Sequence, residues 1–134
     1  MSLIVDASVA VKWFAEEPNS DKAETVLAGL DDLIAPDLVL AELGNALRKK
    51  AVQGIITREQ ALDAVRQAPG FFARLYPLPE LALRAAEIAF DLQHHIYDCF
   101  YLALAERERV PLVCADERLR EKARRLKGIE IRPL

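Results

Sequence analysis

Short apolar runs recur along the chain and are separated by longer segments with helical patterns. The clearest runs are residues 3–5, 33–35, 112–115 and 129–131, and residues 71–76 are an ambiguous further candidate. Runs of this length that end at turn residues are typical of strands buried on both faces of a parallel sheet. The pattern therefore predicts about four or five short strands.

Helical patterns fill the intervals between these runs. Gly54 stands where a left-handed helix end is favoured, and Thr57 with Gln60 forms a capping box. The predicted helices span residues 8–14, 21–30, 37–53, 58–68, 79–93, 97–108 and 119–126. Alternation of strands and helices predicts one α/β domain over residues 1–134, with a central parallel sheet and helices on both faces.

The composition agrees with a single folded domain. The chain has 134 residues, of which 52% are hydrophobic and 29% charged, which favours a packed core over disorder. No apolar run is long enough to cross a bilayer, and no secretory signal pattern is present. Cys99 and Cys114 are too few for a disulfide framework or a zinc site of their own. We expect a cytoplasmic protein.

Charge is unevenly distributed although the net charge is only −3. Residues 1–44 contain nine acidic and two basic side chains, whereas residues 107–134 contain nine basic and five acidic ones. Basic residues gathered on one face can bind nucleic acid even in an acidic protein. Solvated helix faces are the simpler explanation of the same asymmetry.

Two acidic residues directly follow predicted strands. Asp6 follows the first and Asp116 follows the strand at residues 112–115. Both should lie at the carboxyl edge of the sheet, where ligands bind in open α/β folds. Each also begins a turn into a helix, so helix capping explains either residue alone.

Two further acidic residues lie on apolar helix faces. Glu42 has apolar neighbours one turn before and after it, and Asp98 shares a face with Tyr101. A buried carboxylate needs a partner or a metal ion. Asn45 could be the partner of Glu42, and Asp98 could be only a helix cap.

Taken together, the four carboxylates predict an acidic cluster at one edge of the sheet. Such groups repel one another unless their pKa values rise or a cation neutralises them. Ligands that are all oxygen suit Mg²⁺ or Mn²⁺, which can activate water for phosphodiester cleavage or phosphotransfer.

Four segments, in order along nearly the whole chain, resemble the successive motifs of PIN-domain ribonucleases, and most closely the VapC-like toxins of toxin–antitoxin pairs. The segments are Leu3-Ile4-Val5-Asp6-Ala7-Ser8, Pro36-Asp37-Leu38 with Glu42 and Asn45, Tyr97-Asp98 before Tyr101-Leu102-Ala103-Leu104-Ala105, and Leu112-Val113-Cys114-Ala115-Asp116-Glu117-Arg118-Leu119. Cys114 departs from the pattern, because the family often has Thr or Ser there.

The resemblance implies a PIN-like fold and a metal-dependent endoribonuclease. It implies that Asp6, Glu42, Asp98 and Asp116 form a catalytic Mg²⁺ site, with Mn²⁺ as a possible substitute and Ser8 as an auxiliary group. It further implies an RNA substrate cut to leave a 5′-phosphate and a 3′-hydroxyl, a cognate antitoxin protein, and a toxin homodimer.

Two alternatives remain open at this point. A phosphoacceptor receiver domain also has an acidic Mg²⁺ pocket, but the last predicted strand lacks the lysine such a domain should carry. A non-catalytic PIN relative that binds RNA or protein should have lost one or more of the four acids, and this sequence has all four.

Overall fold

The computed structural model describes residues 1–134 and contains five strands and seven helices. The strands are β1 (Ser2–Val5), β2 (Asp32–Pro36), β3 (Arg74–Tyr76), β4 (Leu112–Cys114) and β5 (Ile131–Pro133). The helices are α1 (Ala7–Ala10), α2 (Ser20–Ala28), α3 (Leu38–Val52), α4 (Arg58–Gln67), α5 (Ala82–Leu92), α6 (Ile96–Glu108) and α7 (Glu117–Ala123). The predicted α/β class is confirmed.

All strands of the sheet are parallel and lie in the order β3-β2-β1-β4-β5. The first strand is central: Ile4 is aligned with Ile34 of β2 on one side and with Leu112 of β4 on the other. After β1 the chain forms β2 and β3 on one side of this strand, and it later places β4 and β5 on the other side. Crevices at such a reversal are where α/β folds bind ligands.

The main core surrounds the sheet and helix α6. Every side chain from Cys99 to Ala105 is buried, so this helix is apolar around its whole circumference in the middle of the fold. A second, smaller core lies under α3 and α4 and includes Leu43, Leu47 and Ala64. These two cores fix α3 and α6, which carry Glu42 and Asp98, relative to the sheet.

Local signals predicted several helix ends correctly. Gly54 has a φ of 78°, as expected for a left-handed residue after α3. Thr57 and Gln60 form the predicted capping box, with reciprocal hydrogen bonds of 2.8 and 3.0 Å. A glycine that tolerates a positive φ and a capping box were enough to define these helix ends.

Other boundaries were predicted wrongly by up to four residues, as at the first helix, which ends at Ala10 and continues as a 3-10 turn over Val11–Trp13. Helix α5 begins at Ala82 and not at residue 79, because Leu78–Glu80 forms a separate 3-10 turn. Strand β5 lies two residues later than predicted, since Ile131 and not Ile129 is aligned with Leu112. None of the helices combines the length and apolar character needed to span a membrane.

Candidate active site

Asp6 lies at the end of β1 and forms the N-cap of α1. Its Oδ1 accepts hydrogen bonds from the Ser8 hydroxyl at 2.5 Å and from the Val9 amide at 3.3 Å. The residue is only 7% exposed. Burial raises the pKa of the Asp6 carboxyl, opposed by hydrogen bonds from Cys114 and Ser8. Capping explains the local geometry of Asp6 but does not offset the cost of burying its charge.

Asp116 follows β4 closely and forms the N-cap of α7. Its Oδ1 accepts from the amides of Arg118 at 2.9 Å and Leu119 at 3.3 Å. Unlike Asp6, it is exposed. Because β1 and β4 are adjacent and parallel, Asp6 and Asp116 lie at the same edge of the sheet.

Glu42 projects from the middle of α3 and is half-buried. Its Oε1 accepts a hydrogen bond of 2.7 Å from the Tyr101 hydroxyl of α6. Burial raises the pKa of Glu42, and the charges of Asp98 and Asp6 add to this against the opposing hydrogen bond. Asn45 is exposed, so the partner of Glu42 is Tyr101 and not the asparagine considered from the sequence.

Asp98 lies in the first turn of α6, which begins at Ile96 with His95 as its N-cap residue. The carboxylate therefore does not cap the helix. Its Oδ2 lies 2.6 Å from His94 Nε2 and 3.1 Å from His95 Nε2. Two imidazoles thus contact one oxygen of this acid.

The four predicted acids line one small pocket of about 150 Å³. Its lining residues are Asp6, Ala7, Ser8, Glu42, Asp98, Tyr101 and Asp116. No Lys or Arg side chain lines it, so nothing in its wall neutralises the carboxylates. The structure brings together every acid that the sequence singled out, together with Ser8.

The donor chemistry of the pocket fits a hard divalent cation. Carboxylate and hydroxyl oxygens are the ligands that Mg²⁺ and Mn²⁺ prefer, and Asp6, Glu42 and Asp98, which repel one another, would gain from a positive charge between them. The tightest group of potential ligands, with atoms within 4.8 Å of one another, is His94, His95 and Asp98 at one side of the pocket.

Cys114 lies beneath the pocket at the end of β4 and is fully buried. Its Sγ accepts from the Asp116 amide at 3.3 Å, and its thiol donates to the Asp116 carbonyl at 3.9 Å. Burial, followed by the charge of Asp6, raises the pKa of this thiol strongly. The residue that departs from the family pattern therefore stands between two of the four acids.

Sequence reasoning missed three side chains around the acids. Tyr101 was treated only as part of an apolar face, although a buried tyrosine usually needs a partner for its hydroxyl. His94 and Lys122 were not among the residues assigned to the site from the sequence. Lys122 Nζ in fact lies 3.0 Å from His94 Nδ1. The four-residue spacing of His94 and Asp98 was the available signal.

The PIN domain family matches residues 3–125 of the chain. Ribonuclease VapC3 of Pyrobaculum aerophilum is 31% identical over 124 residues, which cover 91% of this chain and 95% of that protein. Ribonuclease VapC1 of Mycobacterium tuberculosis is 38% identical over 121 residues, covering 87% and 86%. The crystal structure of VapBC2 from Rickettsia felis, bound to a promoter DNA fragment, superposes with a TM-score of 0.71 at 15% identity and covers 100% of this chain and 99% of that one.

The chain belongs to the PIN domain family, and its curated relatives are VapC ribonucleases. The predicted resemblance is confirmed, as is the enzyme class, a hydrolase acting on RNA. The receiver-domain alternative is not supported. The roles of the individual acids stay a prediction.

Proposed function

We propose that this protein is a metal-dependent endoribonuclease and the toxin of a toxin–antitoxin pair. The observation that carries the proposal is the single pocket in which Asp6, Glu42, Asp98 and Asp116 meet without any basic side chain in its wall. Family membership and the names of the relatives support the same conclusion.

The acids divide into two roles. Asp6 and Asp98 hold the cation, Mg²⁺ or Mn²⁺, while Glu42 and Asp116 complete the site or orient the attacking water. A bound divalent cation supplies a more acidic water and stabilises charge on the phosphate oxygens. The Ser8 hydroxyl donates to Asp6 Oδ1 and also accepts from the Ala115 amide at 3.3 Å, so it ties β1 to the segment after β4.

Hydrolysis of RNA balances without a further reactant. The oxygen of water forms a new bond to phosphorus, and the bond between phosphorus and O3′ breaks. The departing oxygen takes a proton and becomes a 3′-hydroxyl, while the other fragment keeps a 5′-phosphate. A carboxylate with a pKa raised by burial, as in Glu42, is suited to accept the proton of the attacking water.

Two basic side chains that follow Asp116 in the chain are available for RNA phosphates. Arg118 and Arg125 are exposed and make no ion pair, and Arg118 follows Asp116 by two residues. Lys50, by contrast, is paired with Glu17 at 2.6 Å. We assign phosphate contact to Arg118 and Arg125, because Arg side chains with free donors bind backbone phosphates and position the strand.

Single substitutions test the catalytic assignment. Asp6→Asn, Glu42→Gln, Asp98→Asn and Asp116→Asn should each reduce cleavage of single-stranded RNA by on the order of a hundredfold or more, with folding intact. Asp91→Asn, an exposed acid on α5, is the matched control and should cleave normally. Mapping of RNA ends should find 5′-phosphates. Full activity of Glu42→Gln would contradict its place in the site.

An antitoxin is the proposed partner, since an acidic pocket can accept an Arg or Lys side chain in place of the cation. One candidate place for an apolar segment of the partner is the surface near Trp13 and Glu42. Trp13 is half-buried, however, and its indole donates to the Ala23 carbonyl at 2.9 Å. A groove of about 490 Å³ between α3 and α4 offers exposed apolar side chains instead, among them Val52 and Leu62.

We therefore propose that the antitoxin places an apolar segment in the α3–α4 groove and a basic residue in the acidic pocket. Co-expression with the protein encoded beside this one should give a complex without nuclease activity. Leu62→Asp should weaken the complex, whereas Leu30→Asp, which changes a fully exposed leucine elsewhere, should not. Unrestrained cleavage in the presence of every neighbouring gene product would refute the toxin assignment.

Homodimerisation and a cytoplasmic location complete the proposal. Both follow from the VapC-like assignment. Light scattering of the purified protein should give twice the mass of the 15.0 kDa chain.

A further inference from the structure

His94 lies beside the acidic pocket without lining it. The chain reaches it through Gln93, whose φ of 51° turns the backbone sharply after α5. The amide of His94 then donates to the Ala89 carbonyl at 3.1 Å, which fixes the backbone of the histidine. Its side chain is only 11% exposed and points toward Asp98, with a distance of 2.6 Å between Nε2 and Oδ2.

Lys122 of α7 contacts the other nitrogen of the same ring. Its Nζ lies 3.0 Å from His94 Nδ1. An ammonium group has only donors, so Nδ1 must accept this hydrogen bond and carry no proton. In a neutral imidazole the proton then lies on Nε2, from which it is donated to Asp98. The hydrogen bonds therefore run in one direction, with Lys122 donating to His94 and His94 donating to Asp98.

The same atoms could be interpreted as a metal site. His94, His95 and Asp98 together offer two nitrogens and one oxygen, a set that binds several transition metals. A metal on His94 Nε2 would, however, require the proton on Nδ1, where it would face the ammonium of Lys122. The Lys122 contact therefore favours a hydrogen bond from His94 to Asp98 over metal ligation by His94.

We propose that His94 is a positioning residue for Asp98 and that Lys122 holds the imidazole in place by donating to its Nδ1. The bond from Nε2 occupies Asp98 Oδ2 and leaves Oδ1 as the oxygen available to a cation. The inference rests on the proposed function of Asp98 as a ligand. Partners that orient a ligand in this way typically contribute about 10- to 100-fold to metal affinity or activity.

Substitution of His94 gives the first test. His94→Leu keeps the volume but removes the donor, and it should weaken Mn²⁺ binding, measured by calorimetry on the full chain, by about tenfold or more. The kcat for RNA should fall by a similar factor while KM stays unchanged, because His94 does not contact the substrate. His94→Gln, whose amide can donate from nearly the position of Nε2, should restore much of both. Wild-type Mn²⁺ affinity and kcat in His94→Leu would overturn the proposal.

The position of the proton on the His94 ring gives a second test, which distinguishes a positioning role from a purely structural one. Nitrogen-15 NMR of the metal-free protein at neutral pH should show the His94 proton on Nε2. Lys122→Met should leave the proton on Nε2, because Asp98 still accepts it, but should weaken Mn²⁺ binding because the ring loses one of its side-chain contacts. Lys127→Met, at an exposed lysine on the following segment, should bind Mn²⁺ as the wild type does. An Nδ1 proton in the wild type, or a shift of the His94 proton from Nε2 to Nδ1 when diamagnetic Mg²⁺ is added, would overturn the proposal.

These measurements distinguish a failure of the proposed nuclease function from a failure of the role assigned to His94. If the wild-type protein binds Mn²⁺ through Asp98 but cleaves no RNA, the proposed function fails while the tautomer and affinity comparisons still decide the role of His94.

Discussion

The hydroxyl of Tyr101 donates a hydrogen bond of 2.7 Å to Glu42 Oε1, and this bond joins α6 to α3 across the acidic pocket. Tyr101 is 1% exposed. Burial and the neighbouring Glu42 carboxylate raise the pKa of the phenol well above its ordinary value, so it remains a donor at any physiological pH. The bond is also the main influence that opposes the burial-driven rise in the pKa of Glu42.

We predict that Tyr101→Phe reduces RNA cleavage by about tenfold, since one hydrogen bond to a charged group contributes roughly 1.5–3 kcal/mol. Because the aromatic ring remains in the core, the variant should lose much less thermal stability than catalytic activity. The pKa of Glu42 should rise further without the hydroxyl. Cleavage rates of the purified variant measure the loss of activity, and thermal unfolding measures the change in stability.

Tyr97→Phe is the matched control, because Tyr97 is on the same helix but is 56% exposed. It should behave as the wild type. Equal activity of the two variants would show that Glu42 does not depend on its tyrosine partner.

A second prediction concerns the cation. Mg²⁺ or Mn²⁺ at about a hundred times its Kd should stabilise the folded protein by roughly 2.7 kcal/mol, because only the folded chain assembles the site. Asp6→Asn combined with Asp98→Asn should abolish the shift in Tm. The double variant should nevertheless fold, since Asn retains helix-capping ability at position 6. A wild-type shift in the double variant would mean that the cation binds elsewhere.

A third prediction concerns Glu17, which is remote from the acidic pocket. Its carboxylate oxygens lie 3.1 Å from Lys12 Nζ and 2.6 Å from Lys50 Nζ. Burial alone would raise the pKa of Glu17, but the bonds to Lys50 and Lys12 outweigh it and hold the pKa below the ordinary 4.5. Because the folded state binds this proton less tightly than the unfolded chain, the ion pairs stabilise the protein above about pH 4.5. That stabilisation is lost as the pH falls through the lowered value.

Glu17→Gln should therefore lower Tm by a few degrees at pH 7 and have a shrinking effect as the solution is acidified below pH 4.5. Thermal unfolding at several pH values measures the difference from the wild type. Glu16→Gln changes an exposed neighbour and should have almost no effect at any pH. A pH-independent loss in Glu17→Gln would point to packing as the cause.

A fourth prediction concerns the two thiols. Burial raises the pKa of Cys99 to about 11 and raises that of Cys114 as well. Since the thiolate is the reactive form, neither residue should react with a disulfide reagent at pH 7.5 in the native protein. Both should react once denaturant is added. Rapid labelling of one thiol in the native state would show that β4 or α6 opens readily.

Much of this arrangement could be predicted because its signals are local. The strand at Leu112 is a short apolar run, and Glu42 is conspicuous as an acid with apolar neighbours on its helix. An apolar run or an acid on an apolar helix face can be recognised from a few neighbouring residues of the sequence. Membership of the family then followed from the order of four such segments.

The rest depends on contacts between distant segments. Tyr101 and Glu42 are separated by 59 positions, and Lys122 reaches His94 across 28. The turn at Gln93 also has no local signal, because glutamine rarely adopts a positive φ. No periodicity in the sequence indicates which polar atoms such contacts bring together.

The strand order has a consequence for how the protein is made. The carboxylates come from positions spread between Asp6 and Asp116, and β4, which supports Asp6 and precedes Asp116, is the fourth strand to be synthesised. A nascent chain on the ribosome lacks Asp116 and the strand that precedes it until residues 112–116 have emerged. The acidic pocket therefore cannot be assembled beside the messenger before Asp116 has been synthesised.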